Sequence, residues 1–117
     1  MTSAAKRKGS SYERSIVQYL RECGFAVDRT RAGWSDDRGD IHGVKSPEGL
    51  PFVFECKNQR TLRLNQWTSE LHAEVSNAGG MAGVLVHKRH GSTSPEDQHA
   101  TLPLRMLVQL LKEAGYK

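Results

Sequence analysis

The stretch GDIHGVKSPEGLPFVFECK, residues 39–57, decides the fold of this chain. Two apolar runs in it, residues 40–44 and 51–57, are typical of β-strands, and Pro47 and Gly49 favour a turn between them. Side chains alternate along a strand, so the second run has two distinct faces. One face carries Val53, Glu55 and Lys57, and the other carries Phe52, Phe54 and Cys56. An acid and a lysine thus end a run that is typical of a buried strand.

Asp40, Glu55 and Lys57 predict a metal site where these strands meet. Carboxylates in a sheet are costly unless a cation neutralises them, and oxygen ligands suit a divalent metal that retains water molecules. Such a metal activates water for attack on a phosphodiester, and Lys57 would orient that water or offset charge in the transition state. The alternatives are a turn aspartate at Asp40 and an exposed ion pair between Glu55 and Lys57.

Glu13 is a further candidate residue for this metal site. It shares a helical stripe with Ile16, Val17 and Leu20, which predicts that its carboxylate points toward the core. Residues 10–13, SSYE, also fit a capping box, in which the glutamate bonds back to the start of the helix. The sequence leaves both interpretations open.

Length and charge limit the possible functions. A chain of 117 residues with 37% hydrophobic content can form one domain with one modest core, which we assign to residues 10–117. Residues 1–9 predict a flexible basic arm that either contacts phosphates or is merely solvated. Lys and Arg outnumber Asp and Glu by 17 to 13, for a net charge of +4, which favours a nucleic acid partner.

Several kinds of site and location are not supported by the sequence. There is no GxxxxGK[ST] loop, so no nucleotide cofactor is expected. The histidines lack zinc-ligand spacing, and His87-x-x-His90 suggests a phosphate-contacting or solvated loop. Cys23 and Cys56 are interpreted as reduced core residues. With neither a signal peptide nor an apolar membrane span, we expect a cytoplasmic protein, in the host cytoplasm if it is encoded by a phage.

The order of elements predicts an α/β sandwich around a mixed sheet, αβββαβ(β)α. The first helix is expected over Ser10–Cys23 and the first strand over Phe25–Val27, followed by a loop to Gly39. Asn65 is expected to cap a helix over Gln66–Ala78, which Gly79 and Gly80 end. The remaining elements are strands over Met81–His87 and His99–Leu102 and a last helix whose first turn contains Pro103.

With the acids in place, the chain resembles the PD-(D/E)XK nuclease superfamily, whose motif is an acid, a spacer, and an acid-x-lysine on the next strand. The residues that carry the resemblance are Glu13, Gly39-Asp40 and Glu55-Cys56-Lys57. Within that superfamily it looks like the archaeal-type Holliday junction resolvases and their phage relatives. The stretches that carry this closer resemblance are Lys8-Gly9 to Glu13-Arg14, Leu20, Cys23 to Val27, and the loop with Arg29 and Arg31. It covers about residues 8 to 90 and departs at Gly39, where the motif has proline.

The resemblance implies a restriction-endonuclease-like three-layer sandwich in which Glu13, Asp40 and Glu55 ligate Mg²⁺ or Mn²⁺ and Lys57 assists catalysis. It implies phosphate contacts by Arg14 and by Arg29 or Arg31. Together with the other basic clusters, the candidate DNA-binding residues are Lys6, Arg7, Lys8, Arg14, Arg29, Arg31, Arg60, Lys88 and Arg89.

A metal-dependent Holliday junction resolvase acting as a homodimer is the leading functional prediction. A four-way junction needs paired nicks, and one chain carries one metal site, so two copies are expected. Candidate interface residues are Trp67 and Leu71 on the middle helix, or residues 81–86 at a sheet edge.

Two other functions stay open. One is another PD-(D/E)XK endonuclease, of the repair, replication or restriction type, although no base-reading helix is evident. The other is a non-catalytic DNA-binding module, against which the intact acids and lysine argue. Residues 92–117 match no pattern that refines the choice.

Overall fold

One five-stranded sheet organises the chain, for which a computed structural model describes residues 3–30 and 38–117. The strands lie in the order β1-β2-β3-β4-β5, and every neighbouring pair is antiparallel except β3 and β4, which are parallel. The elements are α1 (Ser3–Glu22), β1 (Asp28–Arg29), β2 (Ile41–His42), β3 (Phe52–Lys57), α2 (Leu64–Ala78), β4 (Ala82–His87), β5 (His99–Thr101) and α3 (Leu104–Glu113), with a 3-10 turn at Pro95–Asp97. The predicted α/β fold with a mixed sheet is confirmed.

Helices cover both faces of this sheet, which makes three layers. On one face, Tyr12, Ile16 and Val17 of α1 pack in one apolar cluster with Val84 and Val86 of β4. On the other face a second cluster joins α2, α3 and the sheet, and its members include Trp67, Leu71, Val75, Met106, Val53 and Leu85. All six residues of β4 are buried, as expected for a strand covered on both faces.

The parallel pair β3–β4 follows from the position of α2 between them, because parallel strands need a crossover connection. Glu55 is paired with Leu85 and Lys57 with His87. Gly79 ends the crossover helix in the left-handed conformation, with its N–H bonded to Ser76 O, as the sequence predicted. The carboxyl ends of β3 and β4 therefore meet at one edge, and this edge holds the charged residues.

The first helix starts earlier than predicted. It begins at Ser3 rather than Ser10, so residues 3–9, expected to form a flexible arm, are its first two turns. Ala4, Ala5 and the basic residues after them are good helix formers, and the helix continues through Gly9, which costs about 1 kcal/mol relative to alanine. Glu13 consequently lies in the middle of α1, and the capping-box interpretation is wrong.

Two other boundaries differ from the sequence prediction. The first strand is Asp28–Arg29 rather than Phe25–Val27, because the chain leaves α1 through a turn in which Phe25 N–H bonds Leu20 O at 3.0 Å. The helix α2 begins at Leu64 after Arg63, so Asn65 is not its cap.

The structure also corrects the predicted burial of several side chains. Cys23 was expected in the core, and Trp67 and Leu71 were expected at the surface. Cys23 is exposed, whereas Cys56 is half-buried. Trp67 and Leu71 lie in the core at 1% and 0% exposure, and β4 is an inner strand, so these residues are excluded as a surface for a second copy. Of that predicted set, Met81 alone is exposed. None of the described helices is long and apolar enough to cross a membrane.

Candidate active site

Asp40 is held by the backbone of the neighbouring strand. Its N–H donates to Phe54 O at 2.7 Å, and its Oδ2 accepts from Cys56 N–H at 2.7 Å. Its own carbonyl accepts from Thr30 N–H at 2.8 Å, which joins it to the end of β1. The side chain is thereby fixed against β3 beside Glu55.

Gly39 explains why this turn departs from the motif's proline. Its φ of +92° lies in the left-handed region, which proline cannot adopt because its ring fixes φ near −65°. A Cβ at this position would also lie 2.7 Å from Val53 Cγ1 and 2.8 Å from Phe54 O. The approach of Asp40 to β3 therefore requires glycine here.

Glu55 lies on the α2 face of β3 and is 7% exposed. Its Oε2 lies 3.7 Å from Lys57 Nζ, and its buried Oε1 has no hydrogen-bond partner among the described residues. Burial raises the pKa of Asp40 to about 8, and the neighbouring Glu55 carboxyl adds to the shift. Burial likewise raises the pKa of Glu55 to about 8, with Glu74 acting in the same direction. These acids resist ionising together unless positive charge is supplied.

Glu74 of α2 is a member of this cluster that sequence reasoning missed. It is 1% exposed, and its Oε2 lies 3.4 Å from the position of a Cβ built at Gly39. A signal was available, because Trp67, Leu71 and Glu74 recur at helical spacing, the same pattern that singled out Glu13 on α1.

The side chain of Lys57 lies against two residues of α2. Its Nζ donates to Glu70 Oε2 at 2.9 Å and lies 5.9 Å from the centre of the Trp67 ring. Burial by itself would lower the pKa of Lys57, but the hydrogen bond to Glu70 and the charge of Glu55 outweigh it and raise the pKa. The lysine is therefore charged at neutral pH. The contact between Glu70 and Lys57 was not predicted from the sequence.

Glu13 reaches the site from α1, on the opposite face of the sheet. Its side chain is 21% exposed, and its Oε1 accepts from Arg29 Nε at 3.2 Å. Burial and then the charge of Asp40 raise the pKa of Glu13, while Arg29 opposes both effects. Glu13 thus lies near Asp40, with one oxygen engaged by Arg29.

The described residues do not form a preformed metal-binding site. Within residues 3–30 and 38–117, no three or more His, Cys, Asp or Glu side chains lie where they could hold a metal ion. The donor chemistry does fit a hard divalent cation: Asp40 and Glu55 offer carboxylate oxygens, and the buried Glu55 Oε1 has no hydrogen-bond partner among the described residues. The ligand set of Glu13, Asp40 and Glu55 stays a prediction.

Most of the described basic residues that were predicted to bind DNA are exposed. Lys6, Arg7, Lys8 and Arg14 are exposed along α1; Arg60 and Arg89 are exposed in loops; and Lys88 is half-buried, its Nζ donating to Ser92 O. Arg14 and Arg29 line a groove of about 570 Å³ together with Arg21 and His42, which the sequence analysis did not name. Arg31 lies outside the described residues.

The two histidines of the His87-x-x-His90 pattern have different environments. His87 is 6% exposed, its Nε2 lies 2.8 Å from Thr101 Oγ1, and its ring packs beside Trp67 and His99. A phosphate-contacting loop role is therefore wrong for His87, which is a core residue of β4. His90 is exposed, and its Nε2 lies 3.2 Å from Gln59 O.

A family model described as archaeal Holliday junction resolvase (hjc) matches residues 4–92, most of the chain. The match includes α1, the first four strands and α2, and so all the acids and the lysine of the site. It ends before β5 and α3.

Proposed function

Since this chain belongs to the archaeal Holliday junction resolvase family, within the PD-(D/E)XK nucleases, we propose that it is a metal-dependent, structure-selective DNA endonuclease that nicks four-way junctions in pairs. The single observation that carries the proposal is the pairing of the half-buried Asp40 with the buried Glu55 beside the charged Lys57. A binding-only protein would gain nothing from acids that face phosphates, because they repel DNA.

The residue roles are part of the proposal. Asp40, Glu55 and Glu13 would hold Mg²⁺ or Mn²⁺, which supplies an activated water and polarises the scissile phosphate. Lys57, positively charged and only 17% exposed at its side chain, would stabilise the negative charge that grows on the phosphate in the transition state. Cys56 N–H fixes the Asp40 carboxylate through a backbone bond, so that oxygen is oriented before any ligand arrives.

DNA would be bound along α1 and the adjoining groove. Arg14 and the basic first turns of α1 are exposed, and Arg29 is 34% exposed while it holds Glu13. Arginine and lysine contacts to phosphates position DNA without reading its sequence. Contacts of this kind suit a nuclease that does not read the base sequence.

Two copies would act together on one junction. A four-way junction has approximate two-fold symmetry, and a closed dimer presents two sites in matching orientation. Light scattering at micromolar concentration should give twice the 13.1 kDa chain mass. A strict monomer, free and DNA-bound, that yields only singly nicked products would contradict the resolvase reaction.

The test of function uses four labelled DNAs: a four-way junction, a fork, a flap and a linear duplex, each with Mg²⁺ and with EDTA. We expect paired symmetric nicks in the junction and no cutting with EDTA. Glu55→Gln serves as the inactive control of nearly unchanged shape. Equal cutting of all four DNAs would favour a general endonuclease of this superfamily, and binding without any cutting would favour a non-catalytic module.

A further inference from the structure

Among the described residues, Glu70 makes the shortest polar contact of the Lys57 side chain. Its Oε2 lies 2.9 Å from Lys57 Nζ, whereas Glu55 Oε2 lies at 3.7 Å, beyond hydrogen-bond distance. The lysine is therefore tied directly to the middle helix and only electrostatically to the acid of its own strand motif.

Both oxygens of Glu70 are engaged. Gln66 Nε2, one helical turn earlier on α2, donates to Glu70 Oε1 at 3.2 Å, while Oε2 accepts from Lys57. The hydrogen bond to Lys57 is the main cause of the lowered pKa of Glu70, so this carboxylate is ionised at neutral pH. An ionised carboxylate, 36% exposed and hydrogen-bonded at both oxygens, is thus placed against the ammonium group.

A lysine side chain needs a partner to hold its ammonium group in one position. Its four-carbon stem rotates freely and carries a compact charge, so it has no preferred direction of its own. At Lys57 the side chain is 17% exposed, and the Trp67 ring, itself 1% exposed, lies 5.9 Å from Nζ. Trp67 limits the space open to the ammonium, and Glu70 selects its place within that space.

We propose that Glu70 is a positioning residue for Lys57: the contact Gln66–Glu70–Lys57 holds the ammonium next to Glu55 for the cleavage step. The inference rests on the proposed nuclease function and adds to it a residue outside the strand motif. A pair that served stability alone would affect unfolding and leave the cleavage rate of the folded enzyme unchanged. Those two roles are separable by experiment.

The experiment measures single-turnover cleavage of the four-way junction at saturating Mg²⁺ and saturating protein. Glu70→Gln keeps the shape and the acceptor for Gln66 and removes the charge. We expect its cleavage rate to fall about tenfold, with junction affinity in Ca²⁺ changed by less than about twofold. Glu70→Asp, which keeps the charge on a shorter stem, should give an intermediate rate.

The chain offers a matched control on α1. Gln18 Nε2 donates to Glu22 Oε1 at 3.2 Å with the same four-residue spacing and the same distance as in the Gln66–Glu70 pair. Glu22 is exposed and contributes to none of the proposed site contacts. Glu22→Gln should therefore cleave at the wild-type rate.

A kinetic double-mutant cycle separates action through Lys57 from a general structural effect. In a Lys57→Met background, Glu70→Gln should leave the residual rate unchanged. A readout independent of activity is the NMR resonance of the Lys57 Cε in ¹³C-lysine-labelled protein, assigned by its loss in Lys57→Met. This resonance should shift in Glu70→Gln and stay in place in Glu22→Gln.

The outcomes decide between the ideas. Wild-type cleavage by Glu70→Gln, an equal fall in rate in both backgrounds, or an unmoved Lys57 resonance would overturn the positioning role and leave the nuclease function standing. A wild-type protein that cuts none of the DNAs would instead overturn the proposed function, and with it this role. The expected fall, the unchanged Lys57→Met rate and the shifted resonance together establish Glu70 as the positioning residue.

Discussion

The two faces of β3 differ in what they bury. Phe52, Phe54 and Cys56 pack against the apolar cluster of α1, and that face stays apolar to the end of the strand. On the α2 face, Val53 is buried in the second apolar cluster, but Glu55 and Lys57 follow it within four residues. The side chains of β3 thus change from apolar to charged on the α2 face only.

The difference lies in how each face contributes to stability. Burying a large apolar side chain stabilises a protein by about 1.5–3 kcal/mol, so the α1 face supports the fold. Buried acids with raised pKa values do the opposite above their unfolded pKa. The α2 face tolerates them because it lies at the carboxyl ends of the parallel strands β3 and β4, where ligand sites collect in α/β sheets, and because Lys57 lies beside them.

The largest expected effect comes from removing the acids. Asp40→Ala and Glu55→Ala should each reduce single-turnover junction cleavage by roughly 10³-fold or more, the scale for losing a major electrostatic contribution to a transition state. Junction binding in EDTA should persist or strengthen, because a negative charge is gone. Cys56→Ala, on the opposite face of the same strand, keeps the backbone N–H that holds Asp40 and should cleave normally. Cleavage near the wild-type rate by either alanine variant would exclude that acid from the site.

A large effect on folding is expected at the turn that precedes Asp40. Gly39→Ala introduces a Cβ 2.8 Å from Phe54 O at a φ of +92°, and should cost about 2–4 kcal/mol of unfolding free energy through strain and clash. Gly49→Ala is the matched control, because Gly49 has a φ of +86° with open space around it, so it should cost about 1 kcal/mol. Chemical denaturation measures both. Equal losses would show that the contact with β3 adds nothing beyond backbone strain.

A smaller effect is expected from pH. The pKa values of Asp40 and Glu55 are raised to about 8, so in metal-free protein the folded state keeps protons that the unfolded state releases above about pH 4. Stability should therefore be lost as pH rises from about 4 to about 8. We expect Asp40→Asn to be more stable than wild type at pH 8 by at least about 5 °C in Tm, the shift for roughly 1 kcal/mol. At pH 4 the two should be nearly equal.

Metal should reverse that loss in the wild type. Saturating Mg²⁺ should raise Tm more at pH 8 than at pH 5, since the cation competes with protons for the same carboxylates. The gain should be absent in Asp40→Asn. An equal gain in both proteins would place the cation elsewhere on the molecule.

The smallest effect concerns the exposed basic side chains. Arg14→Gln should lower the slope of log affinity against log salt by about one unit and leave the preferred DNA unchanged. Lys112→Gln, in the last turn of α3 and outside the family match, should leave the slope unchanged. A slope that is unchanged in Arg14→Gln would remove this residue from the phosphate contacts.

The residues that sequence reasoning located share one property: each interrupts a short-range pattern. Glu55 and Lys57 follow an apolar strand, and Glu13 interrupts an apolar helical stripe, so burial was inferred from immediate neighbours. Glu74 interrupts the stripe of α2 in the same way and could have been found. Glu70 could not, because its role depends on which strand α2 crosses.

The errors have physical reasons as well. Trp67 was assigned to a surface for a second copy because an amphipathic pattern does not say what covers its apolar side; packing against the sheet and α3 does. The start of α1 was misplaced because Gly9 and Ser10 suggested a boundary, whereas the high helix propensity of Ala, Lys and Arg before them extends the helix back to Ser3.

The sequence by itself predicted the order of elements, the mixed sheet and the grouping of Asp40, Glu55 and Lys57, because the periods of strand and helix are local properties of the chain. Only the tertiary structure decided that α2 lies over the end of β3 and presents Glu70 to Lys57 and Glu74 to the acids. It also decided that Arg29 lies against Glu13 from a strand sixteen residues away. These contacts depend on crossover and packing, which bring distant residues within hydrogen-bond distance and leave no trace in residue spacing.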